Sequence, residues 1–316
     1  MHINLADIDF SQLMDLRVDY AFKLFFAAGD KRRLISLLNA IFANKGINRK
    51  ITDLTIVNPA LEKASGDDKL SILDIRAILS DKSTACIEMH MYDLKEFKRK
   101  SVRSWARAYA EELDPGQGYL EQRPVICIAF INGPIDDATG APVEKVHALF
   151  QVAERDDHRL LLEDMEMHFI NMRAFVNAWR KGGDCEAETA MFTKWLMLIT
   201  QAEIKDRDAI ISICEEEEEL RMAVETLSRL SADKINRQAY QRRLDEIHSY
   251  NMKLAKIDEL KSVNEELKRD KEESDRRMKA ALQNLMNKGH SISEAAEVMS
   301  LAVWEAEEML NSDAKS

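Results

Sequence analysis

The sequence predicts an α/β fold, a mixed sheet flanked by helices, followed by a long all-helical C-terminal region. Three observations predict it. Apolar residues recur with helical spacing near the N-terminus, and their period changes to two from about residue 51. From Glu186 onward almost every stretch is helix-forming. Only 10 glycines and 5 prolines occur in 316 residues, which favours long helices over tight turns. With 46% hydrophobic and 32% charged residues, a full core accompanies a very polar surface.

Taken in order, a first helix is expected from about Leu13 to Ala28, with Leu16, Tyr20, Lys23 and Leu24 at helical spacing. A second follows Asp30, a good N-cap residue, with Leu34, Leu37, Leu38, Ile41 and Phe42 on one face and Gly46 at its end. Strands are expected over Ile51–Val57, Leu70–Leu79, Ala85–Tyr92 and Val125–Ile131. Between the last two lies a helix, Leu94–Leu113, stopped by Asp114-Pro115-Gly116. Further strands are expected over Val146–Val152 and within Leu160–Ile170, then a helix over Met172–Arg180. Trp195, Leu196 and Ile199 are expected to pack back onto this first part.

From Tyr240 to Met278 apolar residues are sparse and separated mostly by three or four positions. That spacing favours a coiled-coil seam in a helical pair or oligomer, the duller alternative being an isolated charged helix held by ion pairs along its surface. Near the end come Gly289, a capping box of Ser291 with Glu294, and Trp304, the outline of a small helix-turn-helix. The expected domains are residues 1–185, a helical region at 186–280, and a C-terminal unit at 281–316.

The net charge of −11 excludes a generally basic nucleic-acid coat, because phosphate binding rests on Lys and Arg. The charge is uneven, however. Lys95, Lys98, Arg99, Lys100, Arg103 and Arg107 cluster between residues 93 and 107, and Glu215–Glu219 is wholly acidic. Cys86, Cys127, Cys185 and Cys214 form no CxxC pair, which predicts reduced cysteines in a cytoplasmic protein. No secretory leader and no transmembrane run is expected.

Two carboxylates stand out. Asp74 sits in one strand pattern and Glu88 in the next, with His90 two residues after Glu88. The linking Ser80-Asp81-Lys82-Ser83 predicts a tight antiparallel hairpin. A turn centred on Asp81 sets Asp74 directly opposite Glu88. Like charges in that position repel, whereas a divalent cation reverses the sign. Asp74, Glu88 and the main-chain carbonyl of Met89 would then be ligands of Mg2+ or Mn2+, with His90 orienting or deprotonating water. The plain alternative is a solvated pair of acids, with Asp74 bound to Arg76.

Five stretches in a fixed order carry a family resemblance: Val18-Asp19-Tyr20-Ala21-Phe22-Lys23, Leu73-Asp74-Ile75, Ile87-Glu88-Met89-His90, the run from Trp105 through Tyr109 to Tyr119, and Pro124–Ile128. Together they resemble the PD-(D/E)XK nuclease family transposases, also called recombination-promoting nucleases. The resemblance covers about Asp15 to Ile131 in detail. It implies a restriction-endonuclease-like core and metal-dependent cleavage of DNA phosphodiesters. It also implies Asp74 and Glu88 as metal ligands, Asp19 as an acid on the first helix, and Lys100 as a basic group facing phosphate with Arg99 and Arg103 beside it. Lys23 belongs to the matched motif as a further phosphate contact. A solvated helix face and a surface lysine are the bland alternatives for these bases.

His90 departs from the family, whose members usually carry Gln there, and from the wider superfamily, which carries Lys. Imidazole loses its charge near neutral pH, so a weakened or inactive nuclease is the second reading. The C-terminal turn reads Met299-Ser300-Leu301-Ala302 where relatives usually have Thr-Gly-Leu-Ser, and its last helix carries Glu305, Glu307 and Glu308. Those acids repel phosphate, which favours an interaction module there. The expected function is a metal-dependent DNA endonuclease linked to transposition or recombination, with a possible homo-oligomer through the helical region. The alternatives are an inactive nuclease fold that binds partners through its helical arm, or a purely structural helical protein.

Overall fold

The hairpin around Asp81 is present in the computed structural model, which describes residues 4–57, 75–91, 97–182 and 188–311. Strand β1 is Leu54–Ile56, β2 is Ile75–Leu79 and β3 is Thr84–His90. Every described β2–β3 pair is equidistant from Asp81: Ile75 faces Ile87, Arg76 faces Cys86, Ala77 faces Ala85 and Ile78 faces Thr84. The turn explains the register. Lys82 N donates to Leu79 O at 2.9 Å, Leu79 N to Ser83 O at 2.8 Å, and Asp81 Oδ1 accepts from Ser83 N at 3.0 Å. This is a three-residue loop closed by a residue in the left-handed region, Lys82 at φ 69°. A side chain there is strained, so Lys82→Gly should stabilise the protein by about 0.5–1 kcal/mol. A urea midpoint that stays put or falls would contradict this reading of the turn.

The remaining strands are β4 (Val125–Ile131), β5 (Ile135–Asp136), β6 (Pro142–Val143), β7 (His147–Phe150) and β8 (Met165–Asn171). Among the described residues six of the eight form one mixed sheet, ordered β1-β2-β3-β4-β8-β7, while β5 and β6 pair separately. The β3–β4 and β4–β8 pairs are parallel and the outer pairs antiparallel. Strand β4 has parallel neighbours on both sides and is buried at all seven positions. That is why it reads as an unbroken apolar run.

One face of the sheet carries Ile75, Ala77, Ile87, Met89, Ile126, Ile128 and Phe130 into the main core. Helices α1 (Asp19–Ala27) and α2 (Arg32–Asn44) pack there, with Phe22 against Phe130 at 5.3 Å between ring centroids. The other face carries Cys127, Ala129, Ile131, Met167 and Phe169 against Phe97 and Trp105 of α3 (Phe97–Glu111). Helices α4 (Met172–Gly182), α5 (Ala190–Ile199), α6 (Gln201–Ile204), α7 (Arg207–Glu216) and α8 (Glu218–Ala232) follow. Trp195, Leu196 and Ile199 are fully buried in the main core, with Phe26 against Trp195 at 5.7 Å, as their spacing predicted.

Several boundaries differ from the expected ones. The first helix begins at Asp19 instead of Leu13 because tertiary contacts claim the preceding backbone. Met14 N donates to Ser231 Oγ at 2.9 Å and Asp15 N to Tyr240 Oη at 3.1 Å, while Asp15 Oδ1 accepts from Arg17 N at 2.9 Å. The strand expected within Leu160–Ile170 is Met165–Asn171. Its leucines, Leu160, Leu161 and Leu162, are exposed after a turn whose amides are held by Glu154.

The chain forms two compact units, Met1–Ile247 and His248–Ser316. Helices α5 to α8 share the core of the first. Helix α9 runs unbroken over Lys234–Asn287. In the second unit its Met252, Ile257, Leu260, Val263 and Leu267 are exposed. Helices α10 (Ile292–Val298) and α11 (Val303–Asn311) close a small core of Leu282, Ala295, Ala296 and Ala306. The Ser291–Glu294 capping box forms, and Ser300 takes the left-handed turn at φ 57°. Among the described residues no helix is long and apolar enough to cross a membrane.

Candidate active site

Strand alternation builds the site. Along β3 the side chains of Ala85, Ile87 and Met89 are buried in the main core, while Cys86, Glu88 and His90 are half-buried on the opposite face. Parallel pairing sets Ala129 beside Glu88 and Ile131 beside His90. The methyl side chain of Ala129 leaves room next to the carboxylate. The His90 ring stacks on Phe97 at 4.0 Å and 17° between planes, and Phe97 meets Phe169 edge-on at 6.2 Å. Phe97 is 1% exposed, so a fixed aromatic wall orients the imidazole. Asp74 lies outside the described residues. The register that puts it opposite Glu88 holds at the four pairs beginning with Ile75 and Ile87.

Helix α3 is tied to the sheet at several points. Arg76 reaches Glu111 at 3.0 Å and Glu112 at 3.1 Å. Trp105 Nε1 donates to Val125 O at 2.9 Å and its ring stacks on Tyr109 at 4.9 Å. Tyr109 Oη donates to Asp164 at 2.7 Å; burial and that hydrogen bond push the phenol up to about 12. Lys98 Nζ donates to the carbonyls of Asp136 and Asp137. Arg107 pairs with Glu111 at 2.9 Å. Arg99, Lys100 and Arg103 are exposed. Among the described residues no ion pair holds any of these three.

Asp19 and Lys23 sit on α1, across the sheet from the face that Glu88 and His90 share. Both are buried, Asp19 at 6% and Lys23 at 4% exposure, so Lys23 is not the surface lysine of the bland reading. The Asp19 carboxylate is gripped by Arg243 of α9 through Nε to Oδ1 at 2.8 Å and Nη2 to Oδ2, and it accepts Tyr20 N at 2.8 Å. Burial works against the Arg243 charge and the Asp19 hydrogen bonds outweigh it, holding the guanidinium above its ordinary value. The structure thus brings Glu88 and His90 together, leaves the three bases open on α3, and gives Asp19 a partner that no local pattern announced. Phe97 was equally hidden, since nothing marks it in a sequence as a ring's neighbour.

The ordered motifs now have a sheet beneath them, and a family model for the PD-(D/E)XK nuclease family transposase matches residues 16–257. The chain belongs to this family. No curated protein and no solved structure matches it. The matched span takes in α4 to α8 together with the sheet, in keeping with the core those helices share. Membership in this transposase family suggests a nuclease related to transposition.

Proposed function

We propose that this protein is a divalent-metal-dependent DNA endonuclease that acts in transposition or recombination in the cytoplasm. The observation that carries the reading is the alternation along β3, which sets Glu88 and His90 side by side on one half-buried face next to the β2–β3 hairpin centred on Asp81. The donors fit a hard cation. Glu88, Asp74 and the Met89 carbonyl are all oxygens, the set that Mg2+ or Mn2+ prefers. When bound, such a cation supplies Lewis acidity, offsetting charge on the phosphate and making water easier to deprotonate.

The chain's own residues do the rest. Glu88 and Asp74 bind the cation. His90, held flat against Phe97, orients water and takes its proton at a ring nitrogen. Exposed Arg99, Lys100 and Arg103 hold the DNA backbone by its phosphates. Lys23 and Asp19 lie buried on α1 across the sheet from that face, with Asp19 held by Arg243, so the phosphate contact and the acid role implied for them are not carried by this geometry. The test is conversion of supercoiled plasmid to nicked circles by the purified full chain. Cutting with Mg2+ or Mn2+ that chelator stops and Asp74→Ala abolishes is expected. An inert wild type with both metals sinks the proposal.

A second reading is a weakened nuclease fold that works by oligomerisation or partner binding. It is favoured by the exposed Met252, Ile257, Leu260, Val263 and Leu267 on α9, which present apolar surface for a second copy.

A further inference from the structure

The nuclease reading leaves unused a buried chain of polar groups along the β7 edge of the sheet. His147 opens β7 and His168 lies in β8, at 1% and 0% exposure. His147 Nε2 and His168 Nδ1 are 2.9 Å apart. His168 Nε2 lies 3.3 Å from Glu166 Oε2, and that oxygen accepts Arg49 Nη1 at 2.8 Å. At the other end Asn44 Nδ2 lies 3.0 Å from His147 Nδ1 and donates to Glu188 Oε2. Asn44 Oδ1 accepts Thr189 N at 2.7 Å, so one amide side chain ties the entry of α5 to the sheet edge.

The ends of the chain dictate every proton. Glu166 is a carboxylate and accepts, so His168 carries its proton on Nε2 and leaves Nδ1 as a lone pair. His147 therefore donates from Nε2, and its Nδ1 accepts from the Asn44 amide. Asn44 cannot flip, because Thr189 N is a main-chain donor and needs the oxygen. This single arrangement satisfies every contact with both rings neutral. A further proton has no place. On His147 Nδ1 it points at the Asn44 amide hydrogens. On His168 Nδ1 it forces the His147 proton round to Nδ1, with the same clash.

We propose that this chain is an acid-released latch: neutral, it holds Glu188 and Thr189 to the sheet edge through Asn44, and protonation of either imidazole breaks that hold. The groups around the rings act in both directions. From α2 come Asn44 and the Phe42 ring, which meets His168 edge-on at 5.8 Å, and Lys45 caps the C-terminal end of that helix. Arg49 follows α2 and pairs with Asp81 of the β2–β3 turn at 2.9 Å. Glu166 comes from β8, Glu188 from before α5, and Phe192 of α5 stacks on His147 at 5.1 Å. Lys45 and Arg49 oppose a positive ring, and Glu166 favours one.

Burial, with the charges of His168 and Lys45, holds His147 down at about 2. Burial also lowers His168 against the pull of Glu166. Both rings are thus neutral in the latched form. Once released they return to about 6.5, so the open form binds more protons below that pH and gains population as pH falls. Burial raises the Glu188 carboxyl, a contribution of opposite sign that acts nearer the carboxylate range. Burial lowers Lys45 from its ordinary value near 10.5.

The test is amide hydrogen exchange of the full chain between pH 7.5 and 5.5, corrected for intrinsic rates, comparing α5 with β4. The opening constant at the start of α5 should rise by about 10-fold if one ring titrates and about 100-fold if both do, while β4 changes little. Joint replacement by His147→Gln and His168→Gln should flatten the dependence, since only the slope within each protein is read. Asn44→Ala should leave the start of α5 open at every pH. The proposal is overturned by a wild type with no slope, by the same slope in β4, or by a slope that survives Asn44→Ala.

Discussion

Arg243→Leu should destabilise the first unit by about 3–5 kcal/mol, the cost of leaving a buried carboxylate without its partner. Asp19 and Arg243 are both nearly buried, at 6% and 9% exposure, and two hydrogen bonds join them. The loss should appear as a lower urea midpoint at an unchanged slope. Asp19→Asn added to Arg243→Leu removes the stranded charge and should recover much of the loss. A single variant that falls by less than about 1 kcal/mol, or a double variant as weak as the single, would show that this pair does not hold α1 to α9. The folded double variant also separates two roles for Asp19. If it keeps its stability but no longer nicks plasmid, Asp19 serves the chemistry as well as the fold.

Glu88→Gln should slow metal-dependent nicking by about 10²–10³-fold, because an amide replaces a charged ligand where several kcal/mol of charge stabilisation is at stake. Glu88 is half-buried and Gln has nearly its shape, so the urea midpoint should move by no more than about 1 kcal/mol. Equal cutting by Glu88→Gln and wild type would remove Glu88 from the site. The same assay decides between the two readings of His90. Gain of cutting on His90→Gln or His90→Lys identifies a degraded site, whereas loss of an existing activity shows that the imidazole held against Phe97 works as it stands.

Much of the frame was legible because it is periodic or local. The apolar run of β4 marks a strand buried on both faces, and the short link about Asp81 sets the register from Ile75 to Ile87. Ser291 and Glu294 cap α10 three residues apart. What stayed hidden depends on distant partners. Leu160, Leu161 and Leu162 read as strand by composition yet lie exposed, because no neighbour covers them among the described residues. Tyr240 and Ser231 delay the first helix from more than 200 positions away.

By itself the sequence determined the alternation that turns Glu88 and His90 to one face of a strand, the turn that pairs that strand, and the ordered motifs of the family. Those features arise from neighbours a few residues apart, where backbone geometry leaves few choices. Only the tertiary structure decided that Asp19 meets Arg243 across 224 positions, that Phe97 lies flat on His90, and that His147 and His168 share one buried chain of protons. A buried charge or ring accepts whichever partner the packed core brings within reach, and that choice is made by the whole fold.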